Sequence, residues 1–213
     1  DDGRTQAEAL DGLGRALTSM QRTGEARFRF QEALALARQV GDRRTEARIL
    51  LDLGAIDADE RRAEGMYAQA RAIARDIGDR SGEAFALRSL GMVAMLQRHY
   101  DEAVPLLQEC IPLFDQHGST QLGRAHAWRG IALAGVGADH QAREAVRAAQ
   151  ALSRTASNPH DALIADLADA TVALHEARAS HALHHAVARA RSVLARCATG
   201  GPPTPEFPEG TPA

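Results

Sequence analysis

A stretch of this chain returns about forty positions later, and a chain that repeats at that period folds by stacking like units on one another. Asp2-Gly3-Arg4-Thr5-Gln6-Ala7 falls on Asp42-Arg43-Arg44-Thr45-Glu46-Ala47, which carries Leu10 onto Leu50 and Leu13-Gly14 onto Leu53-Gly54. A unit of this length is one supersecondary element that cannot bury its apolar face alone and does so against its neighbours. Arrays of this kind expose a long continuous surface, so the period points to a module that binds other proteins.

Within one unit the apolar spacing is helical. Ala9, Leu10, Leu13, Ala16, Leu17 and Met20 form one stripe, preceded by Thr5 and Glu8 at capping-box spacing. After Arg22-Thr23-Gly24 a second stripe runs through Ala26, Phe30, Ala33, Leu34, Ala37 and Val40, and Gly41 reads as its C-terminal cap. The pattern predicts antiparallel helix pairs over about 5–41, 45–78, 82–118, 120–156 and 160–196, the fourth weaker and the fifth degenerate. Together they make one domain over 1–197. The rest, 198–213, holds five of the eight prolines and reads as a disordered tail.

Three local features bear on packing. Gly14, Gly54, Gly91 and Gly130 recur inside first helices, where glycine costs roughly 1 kcal/mol relative to alanine, so their recurrence calls for close helix approach. The second pair lacks three residues near Asp57-Ala58-Asp59-Glu60, which predicts a trimmed helix or loop. Pro105 is expected in a first turn, whereas Pro112 is expected to bend or shorten its helix.

Composition narrows the function. Aromatics are only 4% of the chain, which suits an all-α fold packed through small side chains. All 25 basic residues are Arg, against 28 acidic ones, a net charge of −3. Charge this balanced and dispersed disfavours nucleic acid, and the absence of Lys removes phosphate-loop, kinase and Schiff-base chemistry. Two distant cysteines suit a reducing cytoplasm, and no stretch reads as a membrane span or signal peptide. Since the sequence starts within an inter-repeat loop and without Met, a piece of a longer protein is expected.

The arrangement of Leu10, Leu13-Gly14, Ala26, Phe30 and Ala33 resembles the tetratricopeptide repeat, over about 2–155 well and 160–196 weakly. The added turn ending in Gly-Asp, at Gly41-Asp42 and Gly78-Asp79, is similar to the longer repeats of large bacterial regulators, including ATPase-type transcription activators and Ser/Thr kinases. The resemblance implies a right-handed α-solenoid of four to five antiparallel pairs, a superhelix without enzymatic activity or cofactor. The resemblance further implies the scaffold or sensor arm of a cytoplasmic bacterial regulator.

In such arrays the first helices line a concave groove. The positions of this chain that match are Glu8, Asp11, Arg15 and Thr18, then Arg48, Leu51 and Ala55, then Phe85, Arg88, Met92, Met95 and Leu96, then Arg124, Ala127 and Ile131. Arg48, Phe85, Arg88, Met92, Met95, Leu96, Arg124 and Ile131 form the candidate partner-binding set, because guanidinium pairs with carboxylate and Met adapts to irregular apolar surfaces. A protein or peptide segment is the expected partner. Packing of this patch within the full-length chain is the competing reading, and a receptor for a signalling peptide or small effector that switches an attached output domain is the alternative function. Open end pairs make homodimerisation an expectation as well.

Other residues carry less. His181, His184 and His185 read as a polar helix face rather than a metal site, and Asp57-Ala58-Asp59 lacks the glycine of a calcium loop. Cys110 and Trp128 read as core.

Overall fold

The computed structural model describes residues 2–116, 120–156, 159–180 and 183–199, and these form ten helices with no strand among the described residues. In order they are α1 (Asp2–Ser19), α2 (Thr23–Gln39), α3 (Arg43–Ile56), α4 (Glu60–Asp76), α5 (Arg80–Leu96), α6 (Tyr100–Gln116), α7 (Leu122–Gly135), α8 (Asp139–Ala156), α9 (Pro159–Ser180) and α10 (Leu183–Thr199). The fold is all-α, an array of helix pairs of the solenoid type. Residues 200–213, most of the expected tail, lie outside the described residues.

Aspartate starts the helices. Asp42 accepts from the Thr45 amide and hydroxyl, Asp79 from the Gly82 amide, and Asp59 from the amides of Arg61 and Arg62. Asp2 occupies the register of Asp42, and α1 already begins there. Thr5 and Glu8 therefore lie inside α1, past its start, and the expected capping box at that start is corrected. At the other ends, Gly41 and Gly78 take φ of 70° and 68°, the left-handed conformation that closes α2 and α4.

Glycine inside the first helices has its packing reason. A Cβ on Gly14 would stand 2.6 Å from Phe30 Cε1, and one on Gly54 2.6 Å from Tyr67 Cε1. Gly91 faces Leu107 Cγ at 2.7 Å and Gly130 faces Val146 Cγ2 at 2.9 Å. Each first helix thus receives a large side chain of its second helix directly against its backbone.

The chain divides into two compact units between Ala125 and His126. In the first, Ala7, Phe30, Ala33, Ile49 and Leu53 join α1, α2 and α3, while Ala47, Leu50, Ala70, Ile73 and Ala86 join α3, α4 and α5. Leu87, Cys110, Phe114 and Ala125 close it. Ion pairs stitch successive pairs: Arg38 Nε donates to Glu46 Oε1 at 2.9 Å, and one repeat later Arg75 Nε stands 3.4 Å from Glu83 Oε1. In the second unit the buried residues are mostly Ala, with Leu133, Val146, Val172 and Val193. There Arg143 links α8 to Asp169 and Glu176 of α9, and Arg189 of α10 also meets Asp169.

The missing three residues come out of α3, which has 14 residues where α1 has 18 and α5 has 17. Pro105 is not in the first turn expected for it, and Pro112 does not shorten its helix. Pro105 lies past the first turn of α6, and Pro112 leaves that helix at 17 residues, as long as α2 and α4. Both prolines are exposed, as are Asp101 and Gln108, whose carbonyls they leave without a helical donor.

Candidate functional site

The first helices α1, α3 and α5 pack side by side. Between them, on the face turned away from α2 and α4, lies a cavity of about 480 Å³ bordered by Arg15, Arg44, Arg48, Leu51, Asp52, Ala55, Asp79, Phe85 and Arg88. Its volume falls within the range of small-ligand and peptide side-chain pockets.

Charge is concentrated at its floor. Asp11 has no exposed surface, and its Oδ2 accepts from Arg48 Nε at 2.9 Å with Arg15 Nη2 at 3.4 Å. The Asp52 carboxyl, one turn after Arg48, lies within hydrogen-bonding reach of Asp11; burial first and the Asp11 charge second push it up to about 6. Asp11 Oδ1 and Asp52 Oδ2 are both buried and receive no other donor. Arg44 Nε stands 3.7 Å from Asp79 Oδ2, the cap of α5.

The apolar side is aromatic. Phe85 and Phe114 meet edge to face, centroids 5.3 Å apart at 83°, and the Arg88 guanidinium lies over both rings at 5.2 and 5.9 Å. Arg88 Nη1 donates to the Gln121 side-chain oxygen, and burial followed by the Arg124 charge lowers its pKa.

Of the candidate set, Arg48, Phe85 and Arg88 border the cavity. Met92 and Met95 lie half-buried farther along α5, and Leu96 is exposed at its last residue. Arg124 sits in the first turn of α7; Ile131 belongs to the second unit, half-buried. Two groove positions are corrected. Asp11 is buried because Arg48 and Arg15 cover it, and Ala127 is buried in the small-residue core of the second unit. Sequence reasoning passed over Asp52, Arg44 and Asp79. For Asp52 the signal was faint, since Gly12 holds its register in the first pair.

The remaining residues of interest are accounted for. Cys110 is buried, and burial pushes its thiol up to about 12, so no thiolate forms near neutral pH. Asp57 pairs with Arg27 and Arg62 while Asp59 caps α4, which engages both carboxylates of the Asp57-Ala58-Asp59 loop. Trp128 is half-buried. His181 and the side chains of His184 and His185 lie outside the described residues. No helix among the described residues is long and apolar enough to cross a membrane.

Solved structures with the same fold identify the architecture as the tetratricopeptide type. Aspartyl phosphate phosphatase F from Bacillus subtilis superposes with a TM-score of 0.73 at 15% identity, over 97% of this chain and 64% of that one. A Rap protein complexed with Competence and Sporulation Factor gives 0.70 at 13% identity, over 89% and 54%. A signal transduction ATPase with numerous domains, with a tetratricopeptide repeat sensor, from Pyrococcus horikoshii gives 0.67 at 15%, over 82% and 28%. The chain therefore spans less than two thirds of each of these proteins. No curated protein matches its sequence. The family described as Suppressor of spindle checkpoint defect 1 C-terminal domain matches residues 25–162, well over half of the sequence, and the chain belongs to that family.

Proposed function

We propose that this chain is a non-enzymatic interaction module that receives a protein or peptide segment in the groove along α1, α3 and α5, as the scaffold or sensor arm of a cytoplasmic bacterial regulator. The observation that carries this reading is the cavity of about 480 Å³, where the Phe85 ring and the Arg48 and Arg88 guanidinium groups share one opening. Such a mixture suits an apolar side chain flanked by a carboxylate. The Rap complex and the ATPase with a repeat sensor, which share the fold, support a place in regulation.

The test fills the cavity without touching the core. Ala55→Trp with Ser89→Trp places two rings at its border, and this double variant must first match the wild type in helicity and melting. Proteins retained from a lysate of the source organism by the wild type and lost by the double variant support the groove; identical sets from both sink it.

A second reading has its own observation, since the cavity volume also suits a small effector or short signalling peptide whose binding switches an attached output domain. A defined small ligand that raises the melting temperature in proportion to its concentration favours it. Homodimerisation through the first pair rests on Leu13 and Met20, exposed at 44% and 63%, while Leu53 in the register of Leu13 is 5% exposed. A monomer by light scattering at high concentration removes it.

A further inference from the structure

Four guanidinium groups border the cavity, and three of them face carboxylates of the chain. Arg48 and Arg15 share Asp11, and Arg44 stands 3.7 Å from Asp79. Arg88 differs: no carboxylate pairs with it among the described residues, and the charge pressing on it is the like charge of Arg124. Its Nη1 is engaged by Gln121, while Nε is buried without an acceptor and Nη2 meets none among the described residues.

The head group is also held in place. The guanidinium carbon lies 5.2 and 5.9 Å from the centroids of Phe85 and Phe114, themselves edge to face, and Nη1 is tied to Gln121, which together restrict where the head group can move. What remains is the Nε–Nη2 edge, the side of a guanidinium that matches both oxygens of a carboxylate. A desolvated cation without a counter-ion is costly to keep, and an arriving anion relieves that cost.

We propose that Arg88 anchors a carboxylate subsite, its Nε–Nη2 edge taking one acidic side chain of a peptide segment bidentately while Phe85 and Leu51 cover the apolar carbons beside that group. Asp52 and Asp79 border the same cavity and repel a second anionic group, so the ligand presents an isolated carboxylate among apolar residues rather than a polyanion. This subsite rests on the groove reading above, but it can fail alone.

The experiment uses the ¹⁵N-labelled chain and two probes, N-acetyl-leucyl-glutamate amide and its isosteric glutamine counterpart, with the Arg88 Nε–H resonance as readout in the wild type and the backbone amides of Leu51 and Phe85 as readout in the wild type and every Arg88 variant. The expected result is a shift by the glutamate probe with a dissociation constant on the order of 1 mM. The glutamine probe binds roughly tenfold more weakly or less, and so does the glutamate probe to Arg88→Lys, which keeps the charge and loses the fork. Equal response to both probes, no response at Arg88, or binding that survives in Arg88→Met overturns the subsite. Inorganic phosphate competing as well as the glutamate probe overturns the choice of carboxylate. If Arg88→Met keeps the partners that Ala55→Trp with Ser89→Trp loses, the groove reading stands and the anchor falls.

Discussion

Arg48 Nε donates to Asp11 Oδ2 at 2.9 Å, a bond that crosses from the first helix of the second pair to the first helix of the first. It turns a residue expected to meet a partner into one that also holds two repeats together. It also leaves Asp52 beside an already occupied carboxylate, and that has a measurable consequence.

Asp52→Asn is expected to stabilise the chain at pH 8 by on the order of 1–2 kcal/mol and to change little near pH 4. Folding raises the pKa of Asp52 to about 6, so its contribution is fully present below the ordinary aspartate value and is lost as pH rises through the folded one. An uncharged amide that can donate to Asp11 Oδ1 removes that loss. Urea denaturation at both pH values checks it; equal effects at the two would mean that Asp52 holds no raised proton.

Two glycine substitutions in consecutive helices should have opposite signs. Gly54→Ala drives a methyl to 2.6 Å from Tyr67 Cε1 and should destabilise by about 1–3 kcal/mol, the helix-propensity gain included. Gly65→Ala, exposed in α4 with nothing within 4 Å of its Cβ, should stabilise by about 0.5–1 kcal/mol. Thermal melts of both variants decide the point.

Gln21 and Arg98 close α1 and α5 at φ of 59° and 63°, where α2 and α4 use glycine. Replacing Arg98 by Gly removes the side-chain crowding of the left-handed region and should add about 0.5 kcal/mol, after part of the gain is offset by the freer unfolded chain. A lowered denaturation midpoint would contradict this.

Asp57 is held well below the usual carboxylate range by its bond to Arg62 first, then by the Asp59 amide, with Arg27 adding to it. A depressed value stabilises the fold above about pH 4 and the contribution fades as pH falls further. Asp57→Asn should therefore cost about 1–2 kcal/mol at pH 7 and weaken the acid sensitivity of unfolding. An unchanged acid limb in circular dichroism would place that sensitivity elsewhere.

What the sequence determined by itself was the repeat. Apolar residues at helical spacing, Gly14, Gly54, Gly91 and Gly130 at one register, and the Gly-Asp turns sufficed for helix pairs, because each of those signals acts within one helix or between adjacent ones. The start of α1 at Asp2, the place of Pro105 and the full length of α6 were misread where a cap or a proline was weighed without its neighbours. The site was legible only in outline: Phe85 and Arg88 share a face by spacing, but no spacing reveals which Arg already has a carboxylate. That was decided by the tertiary structure, which brings Asp11 to Arg48 across 37 positions and leaves Arg88 over two rings with its Nε unpaired. Electrostatic pairing depends on distances between helices and on the water excluded there, and neither is written in the period of one helix.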